Sequence, residues 1–178
     1  WGVIAPFNFP AAILIGMSIG ALITGNTVVL KPASNTPIIG YLFAQIMKEA
    51  GLPAGVLNFV TGSGDIIGRA IVENQDVAGI VFTGSKEVGL KMSREYGRKL
   101  NPRPIIAEMG GKNPVVVTDS ADIDKAVEGV LKAAFGYSAQ KCSACSRLYI
   151  HRNIKEAFMK RLVYETKNLH VDNPLNPD

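Results

Sequence analysis

Cys142 and Cys145 are the only two cysteines of the chain, and both lie in one small-residue stretch, Gln140-Lys141-Cys142-Ser143-Ala144-Cys145-Ser146-Arg147. A cation beside a thiol favours its ionised form, and a thiolate is a strong nucleophile. Lys141 and Arg147 flank the pair. Three readings compete. Both thiols could be packing residues, since free cysteines are commonly buried. The Cys-x-x-Cys spacing also fits a redox pair, although that motif normally opens a helix after a strand. The third reading makes Cys142 a catalytic nucleophile and Cys145 a bystander. No metal site is expected, because His151 and His170 do not stand at ligand spacing from the two cysteines.

Other residues offer complementary chemistry. In Pro6-Phe7-Asn8-Phe9-Pro10 a rigid frame holds one amide, which could meet a developing oxyanion. The same pattern fits an Asx-turn ahead of a helix. In Glu108-Met109-Gly110-Gly111-Lys112-Asn113-Pro114 a carboxylate ends a strand beside two glycines. It could be a general base or a solvated turn residue. Lys31 is the one charged residue at the end of its strand, suited to a ribose hydroxyl or a phosphate, or simply to solvent. Gly62, Gly64 and Gly68 form Gly-x-Gly-x-x-x-Gly, one residue longer than the usual dinucleotide fingerprint. A tight turn explains that spacing about as well.

The elements that must position these groups alternate between strand and helix. Helices are expected over 11–24, 37–50, 65–73, 86–100, 122–135 and 154–169. Strands are expected over 27–31, 56–60, 77–82, 105–108, 114–117 and 148–151. Pro37 opens one helix, and Gly51 with Pro53 stops it. Continuous apolar strands between helices indicate an α/β fold with a parallel sheet covered on both faces. Ligands then bind beyond the carboxyl ends of the strands. Three such ends, 31–34, 61–68 and 82–86, are small or polar and lead into helices, where backbone N–H groups can approach a phosphate. Around Asn101-Pro102-Arg103-Pro104 the composition turns loop-like. A domain division is expected there, with residues 1–105 in one part and 106–178 in the other.

The 178 residues can bury a real core, and 47% are hydrophobic. The most apolar segment, 11–30, is broken by Gly16, Gly20, Thr24, Gly25 and Asn26, so no membrane span is expected. No signal peptide is visible. The net charge of +4 is spread along helices without interleaved aromatics, so no nucleic-acid partner is expected. Two cysteines this close make a poor long-range staple. The expected compartment is the cytoplasm, with the mitochondrial matrix as the alternative. The chain starts at Trp1 and is expected to be an internal piece of a longer protein.

Taken in order, Asn8 in Pro-Phe-Asn-Phe-Pro, Lys31 in Lys-Pro-Ala-Ser, the Gly62/Gly64/Gly68 pattern, Phe-Thr-Gly-Ser at 82–85, Glu-Met-Gly-Gly-Lys at 108–112 and Gln-Lys-Cys at 140–142 resemble the aldehyde dehydrogenase superfamily. The resemblance spans essentially the whole chain. The wording around Cys142 and Glu108 is most similar to 1-pyrroline-5-carboxylate dehydrogenases, which oxidise glutamate semialdehyde to glutamate.

The resemblance implies a Rossmann-like cofactor-binding sheet over 1–105, followed by the first part of an α/β catalytic domain. It implies that Cys142 attacks the aldehyde and passes through a thiohemiacetal to a thioester. The Asn8 amide and the Cys142 N–H would hold the oxyanion, and Glu108 would activate the hydrolytic water. The implied cofactor is NAD. Ile4, Ala5, Pro6 and Phe7 match the strand beneath the nicotinamide end, and Gly110 flanks it. Lys31 matches a ligand of the adenosine ribose, Gly64 and Gly68 the adenosine-side helix, and Ser85 a pyrophosphate contact. Phe82, Thr83, Gly84 and Val88 complete the implied set. Many NAD-preferring relatives carry Glu at position 34; Ser34 removes its repulsion of a 2′-phosphate, so NADP use is also expected. A homo-oligomer is expected for the full-length protein, with a small-molecule aldehyde as substrate. The alternatives are another semialdehyde or general aldehyde dehydrogenase, a nucleotide-binding relative without turnover, and a Cys-x-x-Cys redox protein.

Overall fold

The apolar run Val28-Val29-Leu30 is too short for a helix and too continuous for a half-exposed strand, and it folds as a strand covered on both faces, whereas β-strand residues Ile106 and Val116 nearer the sheet edges are exposed. The computed structural model describes residues 1–97 and 102–176. It divides into two units, Trp1–Gly110 and Gly111–Asp178.

The first unit is built on five parallel strands, β1 (Gly2–Ile4), β2 (Val28–Lys31), β3 (Leu57–Phe59), β4 (Ile80–Gly84) and β5 (Ile105–Met109). Their order is β3-β2-β1-β4-β5. The chain therefore starts in the middle, builds outward one way, then returns to build the other. Between them run α1 (Ala12–Ile23), α2 (Pro37–Glu49), α3 (Arg69–Glu73), which continues a π-helical turn at Gly64–Gly68, and α4 (Lys86–Gly97). Alternate residues of the strands feed opposite faces. Val3, Val28 and Leu30 pack with Leu14 and Ala21 of α1 and Phe43 of α2. Ile4, Ile80 and Phe82 pack with Ile71 and Val72 of α3 and Met92 and Tyr96 of α4. Each such aliphatic or aromatic side chain, fully buried, contributes about 1.5–3 kcal/mol of hydrophobic free energy.

The second unit repeats the logic on a smaller scale. β6 (Asn113–Val117) and β7 (Cys145–Ile150) pair in parallel, with α5 (Ile123–Phe135) and α6 (Lys155–Lys167) supplying the cover. Val117, Val127, Val130 and Phe158 form its core. Asp122 caps α5 by accepting from the Lys125 N–H at 3.1 Å, which satisfies one of the unpaired donors at the helix start.

Three expectations change. The domain division expected after residue 105 falls after Gly110, because β5 pairs with β4 throughout Ile80–Gly84 and belongs to the first sheet. Pro102-Arg103-Pro104 is loop, as its composition indicates, and it is fastened: the Arg103 guanidinium donates to the carbonyls of Asn74 and Val77 and lies 4.7 Å from the Tyr96 ring centre. β1 was not expected from the residue pattern, and its strand ends at Ile4, so Ala5, Pro6 and Phe7 belong to the following loop. The strand expected to begin at Leu148 begins at Cys145, which takes that cysteine out of the loop. Residues 98–100 of the helix expected over 86–100, and Asn101 of the expected linker, lie outside the described residues.

Candidate active site

Because all five strands of the first sheet are parallel, their carboxyl ends share one edge. Most of the candidate residues of this unit lie along it. β1 and β4 are neighbours although two strands separate them in sequence order, so the connections leaving them diverge, which opens a crevice at the edge. Asn8 sits in the loop leaving β1, half-buried between the exposed Phe7 and Phe9. Glu108 stands on β5 directly beside Thr83 of β4. Ile105, Ala107 and Met109 pack toward α3 and α4. Strand alternation therefore turns Glu108 to the α1 face, where the Thr83 hydroxyl donates to the thioether of Met17 on α1 at 3.4 Å. Gly110 follows at the end of β5, with open space where a Cβ would stand.

Lys31 is 3% exposed. Burial pushes its ammonium below the ordinary lysine value, since a cation out of water loses hydration. Among the described residues its one polar partner is the Pro32 carbonyl, at 3.0 Å. An ammonium has three donors, so this one has unused capacity for an anion or a hydroxyl. The β1–β2 register sets Lys31 beside Ile4 and hence on the same face of the sheet.

On that face lies a cavity of about 220 Å³, lined among others by Ile4, Gly64, Gly68, Phe82 and Val88. Five of the sequence-predicted cofactor residues thus meet around one space. A Cβ at Gly64 or Gly68 would touch nothing within 4 Å, so the glycines leave the cavity wall bare, as a flat ring requires. The lining mixes apolar side chains with the charged Asp65, Arg69, Lys91 and Glu95, a combination that could hold the flat ring and the polar groups of an adenosine; Lys31 shares this sheet face beside Ile4 without lining the cavity. A second hollow, about 360 Å³, is lined by Pro32, Ser34, Thr61, Gly62 and Ser63. There the Ser34 hydroxyl donates to the Gly62 carbonyl at 3.1 Å. Ser85 caps α4 by accepting from the Val88 N–H at 3.3 Å. Gly84 ends β4 just before it.

Cys142 belongs to the second unit. The stretch ahead of it is unusual: Tyr137, Ser138 and Ala139 are all left-handed, at φ of 58°, 52° and 58°. Left-handed backbone crowds the Cβ of an L-residue and costs about 1–2 kcal/mol at each position. Lys141 to Ala144 then form a tight turn closed by the Ala144 N–H on the Lys141 carbonyl at 3.1 Å. Cys142 is exposed within that turn. Among the described residues its backbone N–H has no acceptor. The turn thus carries a free thiol and a free N–H on one residue. Cys145 differs: it is half-buried in β7, and its thiol donates to the Arg147 carbonyl at 3.4 Å.

Two sets of residues escaped the sequence. Lys91, Met92 and Glu95 of α4 line the 220 Å³ cavity with Val88; their spacing of three, four and seven from Val88 is one helix face and was legible as such. Asn113, whose side chain reaches the Cys142 turn, gave no local signal.

Comparison with known proteins adds a lineage. The model of the aldehyde dehydrogenase family matches residues 1–178. The chain is 48% identical over 177 residues to the 1-pyrroline-5-carboxylate dehydrogenase of Geobacillus thermodenitrificans, covering 97% of this chain and 34% of that protein. The Bacillus cereus protein of the same name is equally similar, at 48% over 177 residues, with 97% and 34% covered. Among solved structures, proline utilization A from Bdellovibrio bacteriovorus, inactivated by N-propargylglycine, superposes with a TM-score of 0.94 at 42% identity, over 99% of this chain and 19% of that one. The Thermus 1-pyrroline-5-carboxylate dehydrogenase with bound NAD gives 0.91 at 41%, over 94% and 33%. The chain thus spans about a third of the length of the curated relatives it matches. The matched family model, the identity to these relatives and the shared fold make this chain a member of the aldehyde dehydrogenase family.

Proposed function

We propose that the chain carries the cofactor site and the nucleophile of an NAD-dependent aldehyde dehydrogenase, with glutamate semialdehyde, the open form of 1-pyrroline-5-carboxylate, as its substrate. The observation that carries the reading is Cys142: an exposed thiol on a tight turn whose own N–H is unpaired. The relatives' names support the substrate. In this reading the Cys142 thiolate adds to the aldehyde carbon, and the carbonyl electrons move to oxygen. The Cys142 N–H and the Asn8 amide donate to that oxyanion, a stabilisation aimed at charge that exists only during reaction. A bound nicotinamide supplies the acceptor for the hydrogen and electron pair that leave the same carbon. The thioester left on Cys142 is then hydrolysed by a water that loses its proton to Glu108, releasing the carboxylate and restoring the thiol. Lys31 would hold the adenosine ribose, and Gly64, Gly68, Phe82 and Val88 would enclose the adenine. Ser34 places no anion in its hollow, so the reading includes NADP as a second cofactor. The full-length protein works as a homo-oligomer in the cytoplasm in this proposal.

The test is NADH formation from glutamate semialdehyde by the full-length protein, with succinate semialdehyde and simple aliphatic aldehydes as comparators. Cys142→Ser is expected to lower kcat by about 10³-fold or more. A Cys142→Ser protein that turns over normally overturns the assignment of the nucleophile. A preference for another aldehyde overturns the substrate alone.

A further inference from the structure

The cysteine turn is held from outside by one side chain. Asn113 opens β6 in register with Cys145, and the register slips between Asn113 and Pro114, so that Pro114 faces Arg147. Proline has no N–H to give a ladder, and a bulge is a place where a strand accepts it. The Asn113 side-chain nitrogen donates to the Cys142 carbonyl at 2.6 Å and to the Ala144 carbonyl at 3.3 Å. Both partners are acceptors, so the atom facing them must be the NH₂ of the amide. Glycine at 111 leaves this contact uncrowded. A Cβ there would stand 3.1 Å from both terminal atoms of the Asn113 amide and 3.1 Å from the Cys142 carbonyl oxygen.

Two planar peptide units flank Cys142, and each is fixed by a different bond. The unit before it carries the Lys141 carbonyl, which accepts from Ala144 inside the turn. A trans peptide sets its N–H opposite its carbonyl, so the Cys142 N–H points out of the turn. The unit after it carries the Cys142 carbonyl, which Asn113 holds. With both planes fixed, the directions of the Cys142 N–H and of its Cα–Cβ bond are fixed together.

We propose that Asn113 is a positioning residue for the reaction: by clamping the carbonyls of Cys142 and Ala144 it fixes the orientation of the Cys142 thiol and N–H, in the space that Gly111 leaves open. The inference rests on the reading of Cys142 as the nucleophile. Asn113 itself touches no reacting atom in this scheme. Its loss should lower the rate of chemistry and spare cofactor binding, since misplacing a reacting group by about 1 Å can cost about 100-fold.

The experiment uses the full-length protein with Asn113→Ala, Asn113→Ser and Cys142→Ser. For each, kcat and KM for the aldehyde are measured at saturating NAD, with the NAD dissociation constant, the thermal midpoint and the rate of thiol alkylation by iodoacetamide. The expected result for Asn113→Ala is a kcat about 10- to 100-fold lower, NAD affinity within about 2-fold, and an altered alkylation rate. Asn113→Ser, which keeps one donor, should recover part of the kcat. An Asn113→Ala kcat within about 2-fold of the parent overturns the inference. So does a rate loss that is matched by loss of NAD affinity, because that marks a general structural role. If Asn113→Ala does not fold, Asn113→Ser decides by the same criteria. Should Cys142→Ser stay active, it is the functional reading that falls; with Cys142→Ser inactive and Asn113→Ala normal, only the clamp does.

Discussion

Lys31 stands directly beside Ile4 across the β1–β2 ladder, so a buried ammonium shares a sheet face with the cavity that Ile4 helps to line. An unpaired cation in that position costs stability and is tolerated where a ligand uses it. Lys31→Met keeps the stem and removes the charge. We expect NAD affinity, read by titration of the full-length protein, to fall about 10-fold or more, with the fold retained.

The same lysine gives a pH signature. Its folded value lies below the 10.5 of an ordinary lysine, so the unfolded chain binds the proton more tightly. The destabilisation is fully present below the lowered value and disappears as pH rises toward 10.5. Urea unfolding of the parent and of Lys31→Met should therefore show a stability difference favouring the variant that narrows as pH rises toward 10.5. A difference that widens over this range would contradict the burial of the charge.

Ser34 donates to the Gly62 carbonyl at the rim of a hollow that contains no carboxylate. Steady-state rates with both cofactors should show NAD preferred and NADP used. Ser34→Glu should depress kcat/KM for NADP by at least about 10-fold while affecting NAD far less, because a carboxylate repels a 2′-phosphate. NADP turnover below detection in the parent protein would remove the argument.

Gly84 ends β4 beside the buried ring of Phe82. A Cβ at Gly84 would come within 2.6 Å of that ring. Phe82 is core and also cavity wall, so the ring cannot yield without disturbing both. Gly84→Ala should destabilise the protein by about 1–3 kcal/mol in urea titration and weaken NAD binding in parallel.

Cys145→Ser separates the nucleophile from a redox pair. The Cys145 thiol only donates to the Arg147 carbonyl, and a serine hydroxyl can do the same. We expect kcat within about 2-fold of the parent; abolished activity would restore the redox reading.

How much of this was legible depended on whether the signal was local. Val28-Val29-Leu30 and Pro114-Val115-Val116-Val117 announced strands, and Gly51 with Pro53 announced a helix end. β1 was hidden because it is three residues long and is recognised only by its place between two other strands. The boundary was misplaced because Pro102 and Pro104 signal a loop, while the contacts that assign β5 to the first sheet come from β4. Asn8, Glu108 and Cys142 were visible as residue types suited to chemistry. The Asn113 clamp was not, because its partner lies 29 residues away in sequence and nothing in Lys-Asn-Pro requires the contact. The left-handed turn at 137–139 was equally silent, since Tyr-Ser-Ala lacks the glycine that normally marks one.

That turn also sets a trap for protein engineering. Glycine at Tyr137, Ser138 or Ala139 would remove a Cβ clash of about 1–2 kcal/mol, against about 0.4–1 kcal/mol of extra unfolded-state freedom. Screens for thermal tolerance alone would therefore be drawn to these three codons. Each such gain would soften the backbone immediately ahead of Cys142, so hardier variants would emerge with a less disciplined thiol, and selection for endurance would work against selection for turnover.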